Sequence, residues 1–331
     1  MEMIRVIQVG LGPVGQMLTP YLLERNYLSV VGAVDIDPAK VGKDLGEICG
    51  LGKKTGITVR GALDAFTPES AEVAVVTTAS KLTSIIPTLE SAAKLRMNVV
   101  STCEELVYPW IRQPDLSRRI NALAEEHDVS FLGTGVNPGF LMDALAVTAT
   151  GICRDVRKIR IERMQDASKR RIPFQQKIGT NLTVEEFRRR VDAGNLGHVG
   201  LTESMQMIAA ALGWKLDRTE DLIEPVVADR EIDSAVGKVA KGRCIGLQQH
   251  GRGWIGREEV LTLEFRADLG EKESHDSIQV EGTPEFRMTI PGGIHGDIAT
   301  CAITANAVAA VIAAPEGLRT MIDIPPVSYR R

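Results

Sequence analysis

Apolar and polar positions along the first part of the chain sort into short strands and longer helical stretches. Ile4 to Val9 (I-R-V-I-Q-V) reads as a buried strand, and Q-M-L-T-P-Y-L-L-E-R from Gln16 repeats its apolar residues at helical spacing. Further apolar runs at Leu28–Val34, Thr58–Arg60, Ala71–Thr77, Asn98–Thr102 and Val129–Leu132 alternate with helical patterns such as Leu82–Leu95 and Leu116–His127. Strands alternating with helices predict a parallel sheet covered on both faces. After about residue 150 the pattern changes. Lys158–Met164, Arg243–His250, Glu259–Ala267, Asp276–Val280 and Glu285–Ile290 read as longer strands with partial alternation. Helical stretches Val184–Ala193 and Gly200–Leu212 lie between the first two. This order predicts an α+β region on a mainly antiparallel or mixed sheet. Asp297–Ala313, rich in Ala, Val and Ile and almost without charge, reads as a buried helix that returns to the first region.

The first turn adds chemistry to that pattern. Gly10-Leu11-Gly12-Pro13-Val14-Gly15 follows the first strand and opens the first helix, and Asp35 ends the second strand twenty residues after Gly15. Strand, G-x-G-x-x-G, helix, strand and acid form the dinucleotide-binding fingerprint. Gly10 permits the tight turn, Gly12 lets backbone approach a pyrophosphate, and Gly15 lets the helix lie close to the sheet. The helix N-terminus then offers amides and a positive dipole end to phosphate. A carboxylate at Asp35 accepts hydrogen bonds from ribose hydroxyls and repels a 2′-phosphate, which favours NAD. Lys40 and Lys43 partly offset that repulsion, so NADP stays open. The plainer reading of Asp35 is a solvated acid at a strand end.

The expected fold is therefore α/β: a Rossmann doubly wound parallel sheet plus an α+β second domain with a mainly antiparallel sheet. Residues 1–140 and about 297–331 are expected to form the dinucleotide-binding domain, and 141–296 the substrate-binding and dimerisation domain. Ligands of such a sheet sit beyond the carboxyl ends of its strands. That rim carries Gly10–Gly15, Thr77-Thr78-Ala79, Thr102-Cys103-Glu104 and Gly133–Asn137.

Composition excludes several function classes. A net charge of −4 gives no electrostatic reason to expect nucleic-acid binding. The clusters Lys169-Arg170-Arg171 and Arg188-Arg189-Arg190 read as a solvated loop and a solvated helix face. Five cysteines without C-x-x-C spacing argue against a disulfide framework and a structural zinc site. No apolar run is long enough for a transmembrane helix, and the chain begins with a core strand rather than a signal peptide; a cytoplasmic protein is expected. No spacing of His with carboxylates suggests a metal site.

Two loops carry candidate chemistry. In N-V-V-S-T-C-E-E-L-V-Y-P-W, Glu104 and Glu105 directly follow a strand. Adjacent carboxylates on extended backbone cannot share one pocket. One is expected to face the nicotinamide end of the cleft, the other to point outward or toward a helix N-terminus. A carboxyl group in a partly dry cleft has a raised pKa and can exchange protons with an amine or hydroxyl. The bland alternative is a pair of helix-capping acids. Gly133-Thr134-Gly135-Val136-Asn137-Pro138-Gly139-Phe140 specifies its backbone path, since Asn137 before proline is pushed out of the α region. It suits holding a nicotinamide amide through Asn137 and walling a pocket with Phe140. His295 and His198 are candidate substrate contacts, each equally readable as a cap or a buried hydrogen-bonding residue, and Asp297 is placed to cap the last helix.

With these segments laid out, the chain resembles the family of 2,4-diaminopentanoate dehydrogenase and the native amine dehydrogenases, with a dihydrodipicolinate reductase-like cofactor domain. The matching segments are V-G-L-G-P-V-G, V-V-S-T-C-E-E-L-x-Y-P-W, G-T-G-V-N-P-G-F-x-M-D, G-H-V-G-L-x-E-S and P-G-G-I-H-G-D-I-A-T. The resemblance implies NAD(P)-dependent interconversion of an amine and a ketone plus ammonia, with a glutamate after this strand as the catalytic carboxylate. Glu104 matches that position better, and Glu105 is second. A 2,4-diaminopentanoate substrate requires a group for its carboxylate, with Arg163, Arg170 and Arg171 as candidates. A simple amine needs only apolar walls such as Phe140, Met142 and Trp110. A non-aminating reductase on the same scaffold and a non-catalytic nucleotide sensor are the alternatives. An open sheet face in the second domain suggests a homodimer.

Overall fold

The computed structural model describes residues 3–168 and 170–331. They fall into two compact units, Met1–Phe140 with His295–Arg331, and Leu141–Ile294. Lys169 of the basic cluster lies outside the described residues.

The first unit begins β1 (Ile4–Val9), α1 (Pro13–Leu23), β2 (Leu28–Val34), α2 (Leu45–Ile48), β3 (Val59–Arg60), β4 (Val73–Val76), α3 (Leu82–Lys94), β5 (Asn98–Ser101), α4 (Pro114–Glu126) and β6 (Ser130–Gly133). All four residues of β4 are buried, as a strand covered on both faces requires. Its helices show the complementary pattern. Leu82, Ile85, Leu89, Ala92 and Ala93 are the buried positions of α3 and recur every three or four residues. Pro13 starts α1, where its missing N–H costs no helical hydrogen bond.

The second unit contains α5 (Ala144–Ala149), β7 (Asp155–Asp166), α6 (Ile172–Lys177), α7 (Val184–Asp192), α8 (Leu201–Ala211), β8 (Arg218–Val227), β9 (Ile232–Ser234), β10 (Gly237–Val239), β11 (Cys244–Ile255), β12 (Glu258–Asp268), β13 (His275–Thr283) and β14 (Phe286–Pro291). Among the described strands of this unit β9 pairs with β10, and the other six form a sheet in the order β14-β13-β7-β12-β11-β8, antiparallel except for the β7–β12 pair. Ile159, Ile161, Leu247, Leu261, Leu263 and Phe265 pack in one core with Leu201, Met205 and Ile208 of α8. The strand β8 has no counterpart in the apolar pattern. Its sequence R-T-E-D-L-I-E-P-V-V holds four charges and a proline, which an edge strand tolerates and a central strand does not.

The chain then returns to the first unit as α9 (Gly296–Ile312) and β15 (Gly317–Arg319). With β15 the described first sheet has seven strands in the order β15-β6-β5-β4-β1-β2-β3, all parallel. The helix α9 buries Cys301, Ala305, Val308 and Val311 against this unit. It is capped by His295, whose Nδ1 accepts from Ile298 N at a long 3.5 Å. Asp297, expected as the cap, instead lies in the first turn, where its charge complements the helix N-terminus. Among the described residues no helix is long and apolar enough to cross a membrane.

Candidate active site

The strand order reverses between β4 and β1, which makes the carboxyl ends of these two strands the switch point of the sheet. The glycine turn sits there. Gly10 adopts φ +93°, and a Cβ on it would lie 2.8 Å from Thr78 Cγ2. A Cβ on Gly15 would stand 2.0 Å from Gly10 O, so α1 rests directly on the turn. Thr77 Oγ1 donates to Gly10 O at 2.8 Å and closes the same contact. The buried Gln8, inside the apolar strand, also serves the turn: its Nε2 donates to Gly15 O at 2.5 Å, and Thr19 Oγ1 donates to its Oε1 at 2.8 Å. A glutamine on an inward strand position beside the glycines was the signal for that role.

This turn fits a dinucleotide. No side chain caps the N-terminus of α1, which starts at Gly12 and Pro13. A Cβ on Gly12 would meet nothing within 4 Å, so the backbone there is open to an approaching phosphate. Leu11 is fully buried, and its N–H donates to Asp35 Oδ2 at 2.7 Å. Asp35 Oδ1 accepts from Asp37 N at 2.9 Å, and Lys40 Nζ stands 3.2 Å from Oδ2. Burial pushes the Asp35 carboxyl upward, but the Asp37 and Leu11 amides and Lys40 outweigh it, and the net shift is downward. Asp35 is therefore ionised at neutral pH. Beside the turn, Thr78 is exposed and Ala79 half-buried at the end of β4.

Glu104 and Glu105 part company at the end of β5, on a 3-10 turn spanning Glu104–Leu106. Glu105 Oε2 accepts from Leu82 N at 2.8 Å and from Gln113 Nε2 at 3.0 Å, so it caps α3, whose own Lys81 provides no side-chain cap. Glu105 is thereby engaged as a helix cap, and Glu104 is half-buried at the start of the same turn. Cys103 is buried, donates to Ser80 O at 3.2 Å, and has its thiol pushed up to about 12 chiefly by burial; it is no nucleophile. The neighbouring loop packs on the same turn, since a Cβ on Gly133 would lie 2.6 Å from the backbone of Leu106. Asn137 of that loop is distinctive: both its Oδ1 and its Nδ2 are shielded from solvent and have no hydrogen-bond partner. A buried amide with both ends unsatisfied is costly, and such a group is expected where a ligand completes it. Val136 N donates to Thr300 Oγ1 at 3.3 Å, which ties the loop to α9, the helix that His295 begins. Phe140 is half-buried at the end of the loop.

In the second unit Arg163 is 3 % exposed and internally paired. Its Nη1 donates to Asp276 Oδ1 at 2.5 Å and its Nη2 to Ile294 O at 2.9 Å, while Asp276 Oδ2 accepts from Ile294 N at 2.7 Å. Arg163 and Asp276 thus clamp both backbone groups of Ile294, and the guanidinium expected to meet a substrate carboxylate is engaged within the fold. Met142, expected as a pocket wall, is fully buried in the apolar core of this unit. Arg170 is also buried and stacks over Phe174 at 4.0 Å, so the solvated-loop reading fails for it; Arg188, Arg189 and Arg190 are exposed on α7 as expected. The imidazole of His198 lies 4.8 Å from the ring of Phe265. Burial, then the Lys177 and Arg163 cations, hold its pKa well below the ordinary value, so the ring is neutral, and its Nε2 has no hydrogen-bond partner. Sequence reasoning missed the device that holds it. Gln249 Oε1 accepts from His198 N at 2.9 Å, and Gln249 Nε2 donates to His198 O at 3.1 Å and to Asp221 Oδ1 at 2.7 Å. Among the described residues no group of His, Cys, Asp and Glu is arranged to hold a metal ion.

Residues 140–329 match the model of the 2,4-diaminopentanoate dehydrogenase C-terminal domain. The chain is 32% identical to a 2,4-diaminopentanoate dehydrogenase of Acetoanaerobium sticklandii, over 98% of this chain and 94% of that protein. It is 20% identical to an amine dehydrogenase of Streptomyces virginiae, over 98% and 96% of the two chains. A solved amine dehydrogenase of Mycobacterium smegmatis superposes with a TM-score of 0.86 at 25% identity, covering 99% of this chain and 97% of that one. A match through more than half the chain, together with a relative alike from end to end, establishes that this chain belongs to the 2,4-diaminopentanoate dehydrogenase family.

Proposed function

We propose that this protein is an NAD(P)-dependent amine dehydrogenase that converts a ketone and ammonia to an amine and runs the reverse deamination. The observation that carries this reading is the division of labour after β5. Glu105 caps α3, and Glu104 begins the turn after β5 at the carboxyl edge of the sheet that also bears the nucleotide turn. The Gly10–Gly15 turn and Asp35 would hold the pyrophosphate and adenosine ribose, Thr77 to Ala79 would flank them, and the Asn137 amide would meet the nicotinamide carboxamide. When bound, the nicotinamide supplies the hydride. Glu104 holds ammonia beside the substrate carbon, moves protons between nitrogen and the departing water, and stabilises the cationic iminium by its charge. His198 and His295 stand as substrate contacts, His198 as a neutral ring. Phe140 forms an apolar wall.

The test is oxidation of NADH, and separately of NADPH, with and without ammonium across small ketones and 2-amino-4-oxopentanoate. Ammonium-dependent oxidation is the expected result, and the preferred ketone reports whether a substrate carboxylate is needed. Oxidation indifferent to ammonium would replace this reading with a carbonyl reductase.

A homodimer through the second sheet is part of the same proposal. The face of that sheet opposite α8 carries a charged ladder, with Arg160 donating to Glu162 at 3.0 Å and to Glu264 at 2.8 Å, and Arg287 to Glu162 at 2.8 Å. Burial pushes Glu162 upward, but hydrogen bonds from Ser277, Arg160 and His275 outweigh it and lower its pKa, and the charged ladder suits a polar, self-complementary contact. Light scattering is expected to give twice the chain mass; a monomer at micromolar concentration would refute the dimer. We place the protein in the cytoplasm.

A further inference from the structure

The loop after β2 holds a cation whose position has a consequence for cofactor choice. An ionised carboxylate offers about four acceptor sites. Asp35 has three of them filled: Leu11 N and Lys40 Nζ on Oδ2, and Asp37 N on Oδ1. One site on Oδ1 remains for ribose, whereas a dinucleotide without a 2′-phosphate brings two adjacent hydroxyls. Lys40 is therefore the group that must yield when both hydroxyls bind. It is built to do so. Its Nζ lies 3.2 Å from Asp35 Oδ2 and 3.5 Å from Asp37 Oδ2, and its side chain is 21% exposed. The turn that presents it is fixed locally: Asp37 Oδ1 accepts from Ala39 N at 2.9 Å, and Lys40 N and Val41 N donate to Asp37 O. The backbone of the turn is thus fixed, while the ammonium is shared between two carboxylates.

The geometry points to Lys40 as the residue that sets the balance between NAD and NADP. With NAD it stays against Asp37 while Asp35 takes the ribose hydroxyls. With NADP it pairs with the 2′-phosphate and compensates the charge of Asp35, which otherwise repels that phosphate. A lysine suits this exchange because its ammonium is a compact charge with rotatable donors, not a fixed fork. The inference rests on the proposed reading that Asp35 faces the adenosine ribose.

The experiment is direct nucleotide binding, read as NADH and NADPH fluorescence with no ketone or ammonium present, on the wild type, Lys40→Ala and Asp37→Asn. Lys40→Ala is expected to weaken NADPH about tenfold and NADH less than about threefold, the scale of one charge-assisted contact. Asp37→Asn keeps the Oδ1 acceptor of the turn but removes the competing charge, so NADPH is expected to bind more tightly relative to NADH. A shift of less than about threefold in the NADPH/NADH ratio for Lys40→Ala, or a shift toward NADPH, overturns the assignment. Absence of binding by either nucleotide to the wild type would overturn the ribose reading itself, independently of any amine chemistry.

Discussion

Replacing Glu104 by alanine is expected to lower ammonium-dependent NADH oxidation by about 10³-fold or more, while NADH binding changes little. The carboxylate is asked to position ammonia, pass protons and balance a positive intermediate, and none of these demands falls on the groups that hold the nucleotide. Glu105→Ala is the matched control. It removes the acceptor for Leu82 N and Gln113 Nε2, so it should cost about 1 kcal/mol of stability as a lost helix cap. Its amination rate is expected to stay within about tenfold of wild type, since its carboxylate is engaged by Leu82 N and Gln113 Nε2. Steady-state rates, nucleotide titrations and thermal melts of the two variants separate the roles. Glu104→Ala retaining amination within about tenfold of wild type would remove Glu104 from the mechanism.

The second large effect distinguishes two glycines of one motif. In Gly15→Ala the new methyl would stand 2.0 Å from Gly10 O and 2.9 Å from Gly10 C, both backbone atoms that cannot rotate away. The helix α1 must lift off the turn, an overpacking that should cost about 3 kcal/mol and impair nucleotide binding with it. Gly12→Ala faces no such obstacle. Gly12 lies at φ −68°, ψ −175°, a conformation open to alanine, and its Cβ would meet nothing within 4 Å. The variant is expected to melt like the wild type yet bind NADH on the order of 100-fold more weakly, because the methyl occupies the approach of the pyrophosphate. Melting curves together with NADH titrations give the answer. Normal NADH binding by Gly12→Ala would mean that the pyrophosphate does not cross this turn.

Much of the candidate site was legible along the chain. The glycine turn, Asp35, the Glu104–Glu105 pair and the loop to Phe140 announce themselves because each makes a local demand. A tight turn needs glycine, a helix start needs proline or a cap, and a proline restricts the residue before it. The strands of the first unit are equally readable, since burial on both faces makes them continuously apolar. The edge strand β8 was not, because one open side lets it carry acids and a proline.

The sequence by itself determined the parallel sheet, the mixed second sheet, the nucleotide turn and the strand end that bears the carboxylates. These follow from spacing within a few residues, which backbone geometry reads directly. Only the tertiary structure decided what distant partners do to individual side chains. Glu105 was engaged by Leu82 N, 23 residues away. Arg163 was claimed by Asp276, 113 residues on, and Met142 by the apolar core. His198 was held by Gln249 across 51 residues. A charged or polar side chain has several chemically equal uses, and which one it serves depends on the partner that folding brings within 3 Å.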